Sequence, residues 1–218
     1  MTNELTKGYH RFRQNRWPSE RAEYEALAAN GQKPHTLVVA CSDSRADPAL
    51  IFDTAPGELF VVRNVGNFVP PFDASEGYHG TAAAIEYAVL ALGVHDIVVC
   101  GHSHCGAVRA LYAEVPEEAH HMRVWLNLGR DAVLPVTESP EALRRTEQRS
   151  VILQLERLMA YPMVMRRVEQ GTLFLHGWYY VIEEGQVRVL DVERGEFVDP
   201  SGQDEGPGDP LADVALLQ

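Results

Sequence analysis

Three short apolar runs, rich in β-branched residues, constrain the fold of this chain more than any other feature. They are HTLVVA at residues 35–40, ELFVVR at 58–63 and HDIVVCG at 95–101. Continuous apolar runs of this length are typical of parallel strands that are covered on both faces. Between the second and third runs, GTAAAIEYAVLALG predicts a helix that ends at Gly93. Strands that alternate with helices predict an α/β fold with a central, mostly parallel β-sheet flanked by helices.

The later part of the chain predicts three more helices and a strand pair. One helix is expected from Cys105 to about Ala113, a second over 117–132 and a third over 140–159, with Ser139 as its N-cap. The runs TLFLHGWYYVI and QVRVLDVE, which are separated by a short turn, predict two paired strands.

The start and the end of the chain differ from its centre. Residues 4–30 carry an amphipathic helical pattern that we expect to break at Pro18, with Ser19 as the cap of a second helix. The apolar face of this pattern needs a partner. We therefore divide the chain into an N-terminal helical arm (1–34), an α/β domain (35–200) that carries the chemistry, and an acidic C-terminal tail (201–218).

The bulk composition excludes several classes of protein. The chain has 218 residues and 45% hydrophobic content, which suits one domain with a sizeable core. No apolar stretch is long enough to span a membrane, and the polar start lacks the apolar region of a signal peptide, so we expect a soluble, cytoplasmic protein. Three cysteines do not make a secreted disulfide framework, and a reducing compartment leaves them as thiols.

The net charge of −12 argues against nucleic acid and anionic membranes as partners. Much of the excess lies near the C-terminus, where residues 183–218 contain ten acidic residues and two arginines. This is a solvated acidic end of the chain, so the charge does not indicate an acidic active site.

Two polar motifs follow two of the predicted strands. CSDSR begins with Cys41 after the first strand, and GHSHCGAV places His102 and Cys105 after the third. Two thiolates and one imidazole suit a zinc ion with a fourth position open for water or substrate, although three ordinary buried residues are an alternative. A nucleophilic Ser103 is disfavoured, because Cys105 replaces the last glycine of the G-x-S-x-G turn. Cys41 as a thiolate nucleophile activated by Arg45 is another alternative, which the carboxylate of Asp43 would oppose.

The two motifs resemble those of β-class carbonic anhydrases. The blocks between them, GELFVVRNVGNFVPP and GTAAAIEYAVLALGV, match the family in the same order, and the resemblance covers roughly residues 4–200. It implies one zinc ion per chain, held by Cys41, His102 and Cys105, with Asp43 and Arg45 as the catalytic dyad. The implied reaction is the reversible hydration of carbon dioxide to bicarbonate and a proton by zinc-bound hydroxide.

The resemblance to plant-type members of the family also implies a substrate pocket and a partner. Gln32 would donate its amide to the substrate, and Phe60, Val65, Tyr87 and the Gly106 backbone would line an apolar pocket. Plain core packing is the alternative for the three large side chains. Family members are dimers that exchange their N-terminal helices, so we expect the arm to pack on a partner subunit and the pocket to be completed across that interface. A tetramer or larger assembly is equally compatible with the sequence.

Several alternatives stay open at this stage. Hydrolases of carbonyl sulfide or carbon disulfide resemble the same family and use the same ligands and dyad. A non-catalytic zinc-binding protein is a further alternative, which the intact Asp43 and Arg45 disfavour. Val38 stands where members with a regulatory bicarbonate site carry tryptophan, so we expect that regulation to be absent. His35, His104, His120 and His121 are weak candidates for a proton shuttle.

Overall fold

The computed structural model of this protein describes residues 2–73 and 78–200, and one six-stranded sheet forms the centre of these residues. In chain order the strands are β1 (Thr36–Cys41), β2 (Leu59–Asn64), β3 (Asp96–His102), β4 (Phe174–Val181), β5 (Gln186–Asp191) and β6 (Glu196–Val198). Across the sheet their order is β2-β1-β3-β4-β5-β6. The pairs β2/β1, β1/β3 and β3/β4 are parallel, and β5 and β6 are added antiparallel at one edge. The predicted α/β fold with a mostly parallel sheet is therefore confirmed.

Helices connect the strands and cover the sheet. They are α1 (Thr2–Arg11), α2 (Trp17–Asn30), α3 (Pro48–Ile51), α4 (Gly80–Glu86), α5 (Gly106–Ala110), α6 (His120–Leu126), α7 (Pro140–Met159) and α8 (Pro162–Glu169). Helix α4 continues as a π-helical turn to Leu92 and ends at Gly93, which has a left-handed backbone (φ 69°), as predicted. Helix α7 has the predicted bounds, and the Ser139 hydroxyl caps it by accepting a hydrogen bond from the amide of Ala142 at 3.1 Å.

Two helices differ from their predicted bounds because the chain tightens at their ends. Helix α5 stops at Ala110, and the next three amides donate to carbonyls three residues back instead of four. The segment expected to be one helix over 117–132 is α6, which is followed by a 3₁₀-helical stretch from Asn127 to Ala132. After α5 the chain forms turns over 111–113, and the second segment is helical only from His120 onward.

The predicted break at Pro18 is wrong. A π-helical turn, Phe12–Arg16, joins α1 to α2, and the amide of Trp17 donates to the carbonyl of Phe12. Since proline lacks an amide hydrogen, the first turn of α2 accommodates Pro18 without a break. Ser19 does not cap α2 either, because its hydroxyl donates to the carbonyl of Arg16 at 2.8 Å.

The main hydrophobic core lies on one face of the sheet. Helices α7 and α8 and the α4 segment bury it against the strands, with Leu37, Val39, Ile97, Val99 and Val151 fully inside. All of α2 is described and none of its residues is fully buried, so the apolar side chains of the arm are only partly covered in a single chain. No helix in the described part of the chain combines the length and apolar character needed to cross a membrane. The predicted acidic tail, 201–218, lies outside the described residues.

The contact between β3 and α7 predicts a stability effect at Gly101. A Cβ atom at this position would lie 2.6 Å from the Cγ2 atom of the fully buried Val151. We expect Gly101→Ala to lower the free energy of unfolding by about 1–3 kcal/mol, because the strand and the helix would have to move apart. Urea unfolding of the purified variant measures this change.

Gly80→Ala is the matched control for that experiment. Gly80 starts α4, and a Cβ atom there would meet nothing within 4 Å. Alanine at this position should leave the free energy of unfolding unchanged or raise it slightly, since it favours the helical backbone. Equal unfolding curves for the two variants would contradict the tight packing of α7 on β3.

Candidate metal centre

The strand order places two polar segments at one point of the sheet. The chain runs from β1 to β2 on one side and then to β3 on the other side of β1, so the order reverses between β1 and β3. Ligands of parallel α/β sheets bind at the carboxyl ends of strands beside such a reversal. Cys41 is the last residue of β1 and His102 the last residue of β3. Both motifs found in the sequence therefore meet at the site that the topology favours.

Cys41, His102 and Cys105 form a compact group of potential metal ligands. One ligand atom from each lies within 4.8 Å of the other two, and all three residues are buried. The His102 Nδ1 atom donates to the carbonyl oxygen of Ser103 at 2.8 Å, which leaves Nε2 as the lone-pair nitrogen. That Nε2 atom is buried without a hydrogen-bond partner among the described residues. An orphaned imidazole nitrogen that faces two sulfur atoms fits a metal ligand.

The two thiols differ strongly in acidity. A hydrogen bond donated by Cys105 lowers the pKa of Cys41 to about 4, and the nearby His102 imidazole and backbone amides act in the same direction. The same contact, together with burial, raises the pKa of Cys105 well above its usual value. One thiolate therefore forms readily, and a bound cation is needed to favour the second. Two sulfur ligands, one imidazole and an open fourth position are the donor set of a catalytic zinc site.

Asp43 and Arg45 form a fork-shaped ion pair beside this group. The Arg45 Nε and Nη2 atoms donate to the two carboxylate oxygens of Asp43 at 3.0 and 2.8 Å, and the Arg45 amide donates to the same carboxylate at 2.9 Å. These contacts hold the pKa of Asp43 well below its usual range. Arg45 also donates to the carbonyl oxygen of His104 at 3.2 Å, so it links the CSDSR loop to the turn that carries Cys105.

The turn between His102 and Cys105 has an unusual backbone. His104 lies in the left-handed region with φ 56°, which costs a non-glycine residue about 1–3 kcal/mol. Glu183, in the turn that follows β4, supports this segment, because it accepts hydrogen bonds from the Ser103 hydroxyl at 2.7 Å and from His104 Nε2 at 3.2 Å. The Ser103 hydroxyl also accepts the amide of Ile182 at 2.9 Å. Ser103 is therefore a structural residue of the turn, in line with the prediction that it is not a nucleophile.

An apolar cleft of about 840 Å³ opens beside the metal group. It is lined by Ser42, Asn64, Val65, Pro70, His120, His121, Met122, Val124, Trp125 and Leu128. The Trp125 indole donates to the carbonyl of Val65 at 2.7 Å, and the amide of the next residue, Gly66, donates to the Cys41 sulfur at 3.4 Å. The cleft wall is thus joined directly to a metal ligand.

Comparisons with known proteins agree on one family. The model of the carbonic anhydrase family matches residues 36–187. The chain belongs to the carbonic anhydrase family. It is 39% identical to a carbonic anhydrase of Synechocystis over 91% of this chain and 74% of that protein.

Solved structures place the chain in the β class. The β-carbonic anhydrase CcaA, at 39% identity, superposes with a TM-score of 0.85 over 91% of this chain and 99% of that one. One of two tetrameric β-carbonic anhydrases from Sordaria macrospora, at 30% identity, gives a TM-score of 0.70 over 87% of this chain and 93% of that one. In this family the Cys41, His102 and Cys105 group is consistent with one zinc ion per chain.

Some of the residues predicted for the substrate pocket lie near the metal group of this carbonic anhydrase and some do not. Val65 precedes Gly66, whose amide donates to the Cys41 sulfur, and Gly106 follows the ligand Cys105. Both Val65 and Gly106 are exposed. Phe60 pairs in register with Leu37, four residues before Cys41, which places it roughly 13 Å along the strand from the metal end. Tyr87 packs on Phe60 with ring centroids 5.7 Å apart, and Gln32 precedes the start of β1. One chain alone therefore does not bring Gln32, Phe60 and Tyr87 to its own metal group.

Arg63 is a residue of the site that the sequence reasoning missed. At the end of β2 it donates to the carbonyl of Cys41 at 2.9 Å, to the carbonyl of Asp43 at 2.7 Å and to the Asp47 carboxylate at 2.7 Å. It thereby ties a metal ligand, the dyad and the N-cap of α3 to the neighbouring strand. The signal was a charged residue at the end of an otherwise apolar strand.

Removal of one sulfur ligand predicts loss of zinc. We expect Cys41→Ser to bind much less zinc than the wild-type chain, because the hydroxyl is a weaker ligand for this metal. Zinc per chain is measured by atomic emission on protein purified and dialysed with a mild chelator.

Cys100→Ala is the matched control. Cys100 is also buried on β3 but packs on the other face of the sheet, and burial raises the pKa of its thiol to about 12. This variant should retain about one zinc per chain, like the wild type. Equal zinc loss from both variants would contradict the assignment of Cys41 as a ligand.

Proposed function

We propose that this protein catalyses the reversible hydration of carbon dioxide to bicarbonate and a proton, with Asp43 and Arg45 as its catalytic dyad. The observation that carries the proposal is the fork-shaped Asp43/Arg45 pair beside a three-ligand metal group. A purely structural zinc site is closed by four protein ligands, whereas a catalytic one keeps a position for water. Within the described residues the group contains three ligands and excludes Asp43.

Each side chain of the site has a role in this reaction. When bound, zinc supplies an activated water nucleophile at neutral pH. Asp43 accepts a hydrogen bond from that nucleophile and so orients its lone pair toward the carbon of the substrate. Arg45 keeps Asp43 ionised and restricts its rotation, since both carboxylate oxygens are engaged in the pair.

The substrate is small, uncharged and poorly hydrated, so an apolar surface suits it. Val65 and the exposed backbone of Gly106 supply this surface on the same chain as the metal. The cleft beside Val65 is mostly apolar, with Trp125 and Leu128 in its wall. Such a cleft offers carbon dioxide little competition from tightly held water.

We further propose that a second copy of the chain completes the pocket with its Gln32, Phe60 and Tyr87. Tyr87 is 50% exposed and lies with Phe60 far from its own metal group, so both are available to a partner. The arm supports the same proposal, since Phe12, Trp17 and Tyr24 form an aromatic group that is only half-buried in one chain. The assembly is a dimer or a tetramer of such dimers, and the Sordaria relatives are described as tetrameric.

We also propose a cytoplasmic location. The zinc ligands Cys41 and Cys105 lie close together and are free thiols, which an oxidising compartment could convert to a disulfide. A reducing compartment keeps both sulfurs available for the metal. Expression of a tagged chain followed by cell fractionation tests this placement.

The first functional test is stopped-flow hydration of carbon dioxide by zinc-loaded protein. We expect fast turnover by the wild type and a decrease of about tenfold to hundredfold in kcat for Asp43→Asn with zinc content unchanged, because the neutral amide cannot hold the nucleophile in the same way. Carbonyl sulfide serves as the parallel substrate.

Asp53→Asn is the control for this substitution. Asp53 is exposed and has a left-handed backbone (φ 47°) that asparagine tolerates, so its kcat should equal that of the wild type. Turnover of carbonyl sulfide without carbon dioxide would move the assignment to a sulfur-analogue hydrolase. Zinc binding without turnover of either gas would leave a non-catalytic zinc protein.

The shared pocket predicts complementation between two inactive chains. Cys41→Ser lacks the metal, and Gln32→Leu lacks the amide that the proposal places in the partner's pocket. Each homo-oligomer should be weakly active. Mixed oligomers, formed by co-expression with two different affinity tags, should regain activity, since an intact metal site then meets an intact Gln32. If Gln32 acts within its own chain, the mixed oligomers stay as inactive as the separate ones.

A further inference from the structure

Glu147 is a buried carboxylate that the proposed reaction does not use. It lies in α7, is 4% exposed, and belongs to the same helical stripe as Leu143 and Val151. Lys, Glu, Arg and Asp are rarely buried to this extent unless they are paired. One turn along the helix, Val151 packs against Gly101 of β3, which fixes the height of Glu147 relative to the end of that strand.

Both carboxylate oxygens of Glu147 have a donor. Its Oε1 atom accepts the backbone amide of Cys105 at 2.8 Å, and its Oε2 atom accepts the hydroxyl of Tyr179 at 2.7 Å. Tyr179 is 1% exposed in β4, so it cannot turn to solvent for another partner. The carboxylate therefore joins a metal ligand to the helix and to the next strand of the sheet.

The amide that Glu147 accepts belongs to the unusual turn described above. His104 has φ 56°, and the backbone returns to φ −68° and ψ 118° at Cys105. A non-glycine residue keeps a left-handed backbone only where its surroundings hold it. Arg45 holds the carbonyl of His104, Glu183 holds the side chains of Ser103 and His104, and Glu147 alone holds the amide of Cys105 among the described residues.

We propose that Glu147 is a positioning residue for the metal centre, which sets the place of the Cys105 sulfur by accepting the Cys105 amide. Tyr179 supports it by occupying the other carboxylate oxygen. The inference rests on the zinc site of the proposed function and is independent of the substrate. Retention of zinc therefore tests it separately from turnover of carbon dioxide.

Loss of the Glu147 acceptor is expected to change the conformation of the turn, and the loss of negative charge is the smaller effect. Without an acceptor, the Cys105 amide is a buried donor with no partner, which costs free energy. A movement of the turn that brings this amide into contact with water lowers that cost. Such a movement also relaxes the backbone of His104. Because Cys105 supplies a ligand, its sulfur then leaves the position that it shares with Cys41 and His102.

The experiment measures how fast zinc leaves the loaded protein when a chromogenic chelator is present in excess. The variants are Glu147→Ala, Glu147→Gln and Tyr179→Phe. Glutamine keeps an oxygen that can accept the Cys105 amide but removes the charge, whereas alanine removes the acceptor. We expect Glu147→Ala to lose zinc about tenfold to hundredfold faster than the wild type, the size usual for partners that orient a ligand. Glu147→Gln should stay within about threefold of the wild type, and Tyr179→Phe should lie between them.

Two results would overturn the proposal. If Glu147→Ala keeps zinc as long as the wild type, the Cys105 amide needs no acceptor. If Glu147→Gln loses zinc as fast as Glu147→Ala, the charge matters and the geometry does not. If Glu147→Ala does not fold, the other two variants still test the proposal. Zinc retention equal to the wild type in both Glu147→Gln and Tyr179→Phe would overturn it, and so would rapid zinc loss from Glu147→Gln.

Two further measurements separate positioning from general destabilisation. Cobalt substitution gives a sulfur-to-metal charge-transfer band, which should weaken in Glu147→Ala and persist in Glu147→Gln. Glycine adopts the left-handed backbone without strain, so adding His104→Gly to Glu147→Ala should slow the loss of zinc again. A double variant that loses zinc no more slowly than Glu147→Ala would overturn the role assigned to the turn.

Discussion

The parallel pairing of β1 with β3 is the interaction on which the rest of the structure depends. Its hydrogen-bonded register brings the ends of the two strands together, and with them Cys41 and His102, which are 61 residues apart in the chain. The strand order reverses at this pair, so the connections after β1 and β3 leave in opposite directions and a crevice remains between the carboxyl ends of the two strands. A slip of one residue would turn either ligand to the other face of the sheet. The buried side chains of both strands oppose such a slip, since it would exchange the two faces and disrupt the packing on each of them.

Hydrogen bonds from charged side chains fix the two segments that follow β1 and β3 and so define the site. Arg63 holds the loop after β1 from one side, and Arg45 connects the same loop to the turn after β3. Glu147 holds that turn from α7, and Glu183 holds it from the turn that follows β4. The cations lie by the loop that carries Asp43, whereas the carboxylates accept donors from the turn. Each of these charged side chains has hydrogen-bond partners, and Glu147, the buried one, has a donor on both carboxylate oxygens. The sulfur ligands are thus held from four elements of the fold.

The single chain contains a complete metal group and an incomplete pocket. Val65 and Gly106 lie beside the ligands, but Phe60 and the Tyr87 that packs on it lie nearer the amino end of the strands. The helical arm, with its half-buried aromatic residues, lies outside the same core. A dimer explains both the incomplete pocket and the helical arm, if each copy packs its arm on the other and completes the other's pocket. On that view the oligomer is a requirement of the reaction and not an addition to it.

Local patterns in the sequence were sufficient for five of the six strands, the bounds of α7 and the cap at Ser139, because each depends on near neighbours. The three zinc ligands came from the resemblance of two compact motifs to a known family, since spacing alone left other readings open. Pro18 was misjudged, since a π-helical turn absorbed what local propensity predicts as a break. Arg63 and Glu147 were missed because their partners are distant in the sequence. Arg63 is 20 residues from Asp43, and Glu147 is 42 residues from Cys105. Only the tertiary structure decides such contacts, since a buried charge acquires its role from the donors and acceptors that folding brings to it. The sequence by itself determined which chemistry is possible at this site, and the packing of α7 and β2 on the ligand strands decided how that chemistry is held in place.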